Sequence, residues 1–305
     1  MSYPVATGSS SMSGKYIPEI WSGKTLMKFY QTTIFGDIAN TDYEGEITKH
    51  GDKVKIRTIP DMVINDYVVD MDLEYTKQEG AVIDLLIDKG KYYAFPINDV
   101  ERMQSDIAFV EKWTDDASQQ MAIKIDRDIL ADIYADAAAE NSGATAGKIS
   151  ASYNMGATGS PLQVTKTNIL EVIVDMGSVL DEQDRPQSDR WLAFPAAFCG
   201  LIKKSELKDA SISGDGKSIL RNGLIGSIDR FKIYSTNNLS FTTDSGHSVC
   251  NTMAGHISAL TFASQLVKNE VIANPKDFGE LARGLQVYGY KVVQPESMVH
   301  GYFYK

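Results

Sequence analysis

Two glycine-bearing stretches in the second half of the chain are spaced as if to hold a phosphate. In SISGDGKS (211–218), Lys217 follows Gly216. A phosphate-binding loop needs a glycine five residues before its Gly-Lys pair, an apolar strand ahead and a helix behind, so that backbone N–H groups converge on the anion. Ser211 stands at that position, the preceding KKSELKDA is charged, and ILRNG is soon broken by Gly223. The second stretch, GLIGSI (223–228), lacks the following helix that a dinucleotide fingerprint requires. Behind it IDRFKIY alternates, with Phe231 and Ile233 on one face, and reads as a strand from Ile228 to Tyr234. Asn237 and Asn238 then end that strand by turn chemistry. Both glycine stretches read as backbone turns.

The remaining reactive residues make no better constellation. Asp128, Asp132 and Asp136 recur at i, i+4 spacing, a face that could hold a divalent cation, but no histidine or second acidic motif completes it. With Lys124 and Arg127 beside them they read as a solvated acidic stripe. His50, His247, His256 and His300 have no ligand spacing, and Cys199 and Cys250 form neither a metal motif nor a disulfide framework, which fits a reducing compartment. No catalytic residue, metal ligand or cofactor site is assigned.

The elements around these residues are more informative. The first fifteen residues are rich in Ser and Gly and read as an arm without structure of its own. Ile17, Ile20, Trp21, Leu26, Phe29, Tyr30 and Ile34 then follow near helical spacing, with an apolar face that must dock on a distant element or another chain. KVKIRTI alternates as a half-exposed strand, and AVIDLLIDKGKYYAFPI is a second extended run beyond a charged middle, NDYVVDMDLEYTKQEG. Together they predict an elongated two-stranded arm that must lean on another surface. From Val100 to Ala139 apolar residues recur every three or four positions after a capping-box pair, Asn98 and Glu101. That pattern predicts a helix roughly 60 Å long. Residues 140–161 read as a glycine- and serine-rich linker or loop, KTNILEVIVDMGSVLDEQDRP as a helix stopped by Pro186, and RWLAFPAAFCGLI as a buried strand running into a turn or helix. ALTFASQLVKNEVI looks helical, and GLQVYGYKVVQPESMVHGYFYK looks β-rich.

The chain has 305 residues, 43% hydrophobic and 23% charged, with a formal net charge of −10. Such an acidic balance argues against broad neutralisation of nucleic-acid phosphates. The opening MSYPVATGSSSMSG has no apolar core of a secretory signal, and the longest uncharged apolar run, twelve residues from Trp191 to Ile202, is too short to span a bilayer, so a soluble protein is expected.

In order, these elements resemble the major capsid protein of tailed double-stranded DNA bacteriophages, the Hong Kong 97 fold. IWSGKTLMKFYQTTIFGDIANTDYEGEI, LLIDKGKYYAFPINDVE, GLIGSIDRFKIYSTNNL and RGLQVYGYKVVQPESM carry the resemblance, which extends over nearly the whole chain from Ile17. It implies an α+β capsid fold with an N-terminal arm (1–44), an extended E-loop (45–97), a P-domain with the spine helix (98–164), an axial A-domain (165–254), a return to the P-domain (255–293) and a C-terminal segment (294–305). The implied function is structural: hexamers and pentamers of this chain forming an icosahedral head that encloses double-stranded DNA without sequence-specific binding. The virion capsid would be assembled in the host bacterial cytoplasm, with a portal, optionally a decoration protein, and no membrane. The arm before Ile17 is short, which implies that scaffolding is a separate protein or lies outside this sequence. The family's Lys–Asn crosslink cannot be matched to a local context, and no crosslinking residue is assigned. A nanocompartment shell of the encapsulin type is the alternative with the same fold, and a nucleotide-dependent enzyme using GDGKS the alternative of another class.

The residues expected at contacts between copies are Trp21 and Phe29 of the arm and Lys53, Lys55 and Arg57 of the first extended strand. Asp70, Asp72 and Glu74 of the charged middle, and Asp209, Asp215 and Lys217 of the loop that would approach the centre of a capsomer, complete the set. Complementary charge along the arm favours a neighbouring copy over nucleic acid as its partner.

Overall fold

The structure, a computed structural model, describes residues 31, 33–42, 53–59, 62–72, 75, 77, 80–99, 109–205, 226–275 and 277–305. The expected helix around Trp21 and Phe29, the start of the long helix at Val100, His50, Glu74 and the SISGDGKS loop lie outside them.

The described chain begins with a single helical turn, α1 (Phe35–Ile38). Alternation then buries Val54 and Ile56 and exposes Lys53, Lys55 and Arg57 in β1 (Lys53–Arg57). Its antiparallel partner is β2 (Val82–Leu86), with Ile56 opposite Ile83. The second extended run does not continue as one strand. It breaks at Ile87 and Asp88, and its remainder, β3 (Lys89–Asn98), joins a different sheet.

Helix α2 (Phe109–Asp132) follows, 24 residues and about 36 Å long. It ends well short of Ala139. Ile133–Asp136 tighten into a 3-10 turn and Ala137 is extended, although alanine favours helix. Tertiary anchors outweigh that preference: the Ala138 N–H donates to the Pro295 carbonyl, and the Asn141 side chain donates to the carbonyls of Glu296 and Met298. The stretch that read as a linker is instead a tied-down loop, because Glu182 accepts hydrogen bonds from the N–H groups of Ile149 and Ser150 at 2.8 and 3.1 Å.

The larger sheet assembles next. It contains β4 (Leu162–Gln163), β5 (Arg190–Phe194), β6 (Ser227–Ile228), β7 (Phe231–Ser235), β8 (Phe241–Asp244) and β9 (His247–His256). Between these run α3 (Ile169–Glu182) and α4 (Ala196–Lys204). Two long strands, β10 (Leu260–Ala273) and β11 (Gly279–Val292), leave this sheet, and β12 (Met298–Tyr304) returns to it. The order is β4-β12-β9-β5-β7-β6, with β8 also on β9, while β10-β11-β3 form a separate antiparallel sheet. Strand β5 is buried at every position, as its continuous apolar run requires. Arg190 at its start is fully buried and donates to the carbonyls of Pro186, Gly177 and Arg185 and to Asp181.

Two sequence expectations are corrected here. ALTFASQLVKNEVI forms most of β10, a strand whose register skips between Ser264 and Leu266; it is apolar on both faces, with Leu260 in the large core and Ala263 in the smaller cluster, and that two-sided burial imitates helical spacing. The strand expected from Ile228 to Tyr234 is a hairpin turning at Asp229 and Arg230, both at positive φ. The polar SFTTDSGHSV is likewise a hairpin, β8 to β9, through Ser245 and Gly246 at φ 51° and 80°.

One large core joins α1, α2, α3, α4 and the larger sheet. A smaller cluster of Val54, Ile56, Leu85, Ile87 and Ala263 seats the β1–β2 hairpin on the β10-β11-β3 sheet. That packing answers the expectation that a two-stranded arm must lean on something. It is close enough to need Gly289, where a Cβ would stand 2.0 Å from the Leu86 carbonyl oxygen.

Candidate assembly surface

Two features define what this chain offers a partner: how rigidly the hairpin is tied to the body, and what its far end exposes. The tie begins in the charge pattern of α2. Asp128 pairs with Lys91 at 2.5 Å and with Lys124 at 3.3 Å, Asp132 with Lys89 at 3.2 Å, and Asp136 beyond the helix with Lys291 at 3.5 Å. The i, i+4 carboxylates read as a solvated stripe are therefore a row of partly exposed ion pairs against β3 and β11. Asp132 also accepts from the Tyr290 hydroxyl, which holds its carboxyl below the usual range, and Lys89 adds to that effect. Further along the same face Phe95 meets Trp113 edge-on, with ring centroids 5.8 Å apart.

A second tie runs through Asp126, which is fully buried. Its carboxylate accepts from the backbone N–H groups of Ile34 and Phe35, at 3.0 and 2.9 Å, and from the side-chain amide of Asn238 at 2.6 Å. Burial raises its pKa above the usual carboxylate range, and the hydrogen bonds pull it back down. Arg127, next along the helix, donates to the Asn238 oxygen and to Gln31. The end of the arm, the long helix and the loop after β7 are thus held at one point. Asn238 does more than end a strand, and nothing in its sequence context marks it as buried. Asn237 accepts from the Ala196 N–H at the start of α4, a helix-capping contact beyond the turn role expected of it.

At the far end, the segment that read as a charged middle exposes large apolar side chains. Ile59 is 94% exposed, Ile64 89% and Tyr75 92%, and Met62, Val63, Tyr67, Val68 and Val69 are exposed beside them. A run of this kind signals a contact surface. The sequence reading missed it because aspartates interleave with the apolar residues. Asp70 and Asp72 sit in this tip, and both are exposed. Lys53, Lys55 and Arg57 line the exposed face of β1, but Lys53 pairs with Asp84 at 3.7 Å on the adjacent β2. Asp84 thus places an acidic group among the basic ones at the base of the hairpin, while Asp70 and Asp72 lie at its tip. Trp21, Phe29, Glu74, Asp209, Asp215 and Lys217 are outside the described residues.

The other reactive groups serve packing. Cys199 and Cys250 are buried free thiols, the latter pushed up to about 12 by burial. His300 stacks against Tyr134, contacts Asn251 at 3.0 Å and is depressed to about 4 by burial. No helix among the described residues is long and apolar enough to cross a membrane.

Comparison with known proteins gives these surfaces a context. The family model described as phage capsid protein matches residues 84–301, well over half of the chain. The chain belongs to the phage capsid protein family. It is a structural major capsid protein, and its fold is the Hong Kong 97 fold that the sequence resemblance implied. A solved chain from Mycobacterium phage Che8 is 27% identical over 96% of this capsid protein and 98% of its own length, with a TM-score of 0.77. The capsid of cyanophage P-SCSP1u shares the fold at 13% identity, covering 94% and 93% of the two chains with a TM-score of 0.72. The capsid of Ralstonia phage GP4 does so at 11% identity, 100% and 98% coverage and a TM-score of 0.66. No curated protein sequence matches this capsid protein.

Proposed function

We propose that this capsid protein builds an icosahedral head from hexamers and pentamers, enclosing double-stranded DNA that it confines without reading its sequence. The observation that carries the proposal is the exposed apolar hairpin tip on a seated, ion-paired base. A tip of this composition gains stability only when another chain covers it, and a head-to-tail contact of one copy's arm on the next makes rings when the rotation closes, as hexamers and pentamers require. The net charge of −10 disfavours adhesion to packaged DNA.

In this reading residues 1–44 are the N-terminal arm, 45–97 the E-loop, 98–164 and 255–293 the P-domain, 165–254 the A-domain and 294–305 a C-terminal segment. Trp21, Phe29, Lys53, Lys55, Arg57, Asp70, Asp72 and Glu74 contribute contacts at the subunit perimeter, and Asp209, Asp215 and Lys217 contribute them near the capsomer axis. Scaffolding, portal and decoration proteins are separate partners, and the virion head is assembled in the host cytoplasm. The chain has no catalytic role of its own, so Lys217→Ala leaves ATP binding unchanged or undetectable.

The test is expression of the chain with and without its scaffolding partner, followed by negative-stain microscopy and sedimentation. Closed shells or capsomers are expected, and deletion of residues 62–72 abolishes them. A chain that stays monomeric under every assembly condition overturns the proposal.

A further inference from the structure

Alternation on two strands and one helical turn collect polar groups where α2 crosses the β10-β11-β3 sheet. Lys89 and Lys91 share a face of β3, and the register sets Tyr288 of β11 directly beside Lys89, with Tyr290 two positions on. On α2, Asp128, Ala131 and Asp132 stand at i, i+3 and i+4 and turn to the sheet together. These residues and Gly90 line an open pocket of about 310 Å³. Its carboxylates are largely occupied. Asp128 meets Lys91 with one oxygen and Lys124 with the other, and a single oxygen of Asp132 meets both Lys89 and the Tyr290 hydroxyl. Its donors are not all used. An ammonium carries three N–H groups, of which Lys91 gives one to Asp128 and Lys89 gives two, to Asp132 and the Tyr290 oxygen.

The deepest group of the pocket is Tyr288. Its side chain is fully buried, its ring packs against those of Phe262 and Tyr290, and its hydroxyl has no hydrogen-bond partner among the described residues. A buried hydroxyl in that state calls for an occupant to pair with it. Burial pushes the hydroxyl up to about 12, and the charges that act on it next are those of Asp128, Tyr290, Lys89 and Asp132, all in the pocket wall. At neutral pH it therefore keeps a proton to donate on the pocket side. We propose that this pocket binds a small oxyanion of the inorganic phosphate class, held by the ammoniums of Lys89 and Lys91 and the hydroxyl of Tyr288. Bonds from such donors to a charged oxygen are the strong kind. A cation entering the same space would meet the two ammoniums, with three of the four carboxylate oxygens already engaged. Bound there, the anion would brace β3 to β11 beside the base of the hairpin. The site lies within one chain and does not depend on how copies meet.

Titrating inorganic phosphate into the full unassembled chain, at neutral pH and constant ionic strength, tests the site. Millimolar phosphate should raise the melting temperature by a few degrees, because a ligand of the folded chain stabilises it by mass action. It should also broaden the phosphorus NMR signal. Tyr288→Phe keeps the ring packing and removes only the hydroxyl, and Lys91→Ala removes one ammonium; each should lose more than half of the shift. Lys291→Ala, whose partner Asp136 is outside the pocket, should keep all of it. A shift of equal size in all four proteins would be a general salt effect on the surface and would overturn the site, as would no shift at all. Stabilisation by magnesium chloride in place of phosphate, lost in Asp128→Asn, would overturn it in favour of a cation held by the carboxylates.

Discussion

The Asp126 carboxylate and the Asn238 side-chain amide meet at 2.6 Å in a buried setting, and Arg127 fixes the orientation of that amide by donating to its oxygen at 3.2 Å. Nitrogen toward the carboxylate and oxygen toward the guanidinium is the one arrangement that satisfies both partners. A residue with a single kind of polar atom cannot replace it. Asn238→Asp brings two carboxylates together and should lower the stability of the unassembled chain by about 3 kcal/mol, and Asn238→Ala by about 2 kcal/mol. Asn237→Ala, which removes one helix cap, should cost about 1 kcal/mol. Thermal and urea unfolding of the three variants checks the ranking.

His300 should make the fold acid-sensitive. Unfolded, the ring takes a proton near 6.5, while the folded chain holds it neutral down to about 4 because burial disfavours the charged form. Between those values the unfolded state binds more protons, so this contribution is complete above about pH 6.5 and is lost as pH falls toward 4. The loss amounts to roughly 3 kcal/mol. His300→Gln should flatten this limb of the stability profile, which unfolding curves between pH 7 and 4 will reveal.

The ion pairs between α2 and β3 are partly exposed and individually modest. Lys91→Ala should cost about 1 kcal/mol, less at 1 M salt. Lys91→Glu should cost more, because it places a carboxylate against Asp128. The salt dependence of the difference between these variants isolates the electrostatic part.

Gly289→Val collides with the Leu86 backbone and should unseat the hairpin. A destabilisation of about 2–4 kcal/mol is expected, with loss of hydrogen-exchange protection in β1 and β2 before any change in the larger sheet. Equal loss in both sheets would mean that the hairpin is not a separable unit.

The sequence disclosed elements wherever local pattern and tertiary environment agree. The apolar RWLAF can only be an interior strand, and ILEVIVDMGSVLDE carries one apolar stripe that α3 buries at Ile169, Val172, Ile173, Met176 and Leu180. It misled where local pattern has two readings. Burial of β10 on both faces, Leu260 in one cluster and Ala263 in the other, imitates helical spacing, and the break at Ile87 and Asp88 sends one continuous apolar run into two sheets. Lys53, Lys55 and Arg57 were legible as an exposed face because alternation alone specifies it. Asp126 and Asn238 were not, since nothing nearby in sequence predicts a partner 112 positions away. The apolar tip was hidden by composition: averaged over the segment, its aspartates conceal the exposure of single side chains.

Only Ile87 and Asp88 separate β2 from β3, and the lysines that open β3 are clasped by α2. A pull on β2 therefore passes through two residues into β3 and, by the lysine–aspartate pairs, into the long helix. In the proposed shell, a load on the hairpin would be carried into the body by backbone continuity and ion pairs as well as by surface adhesion.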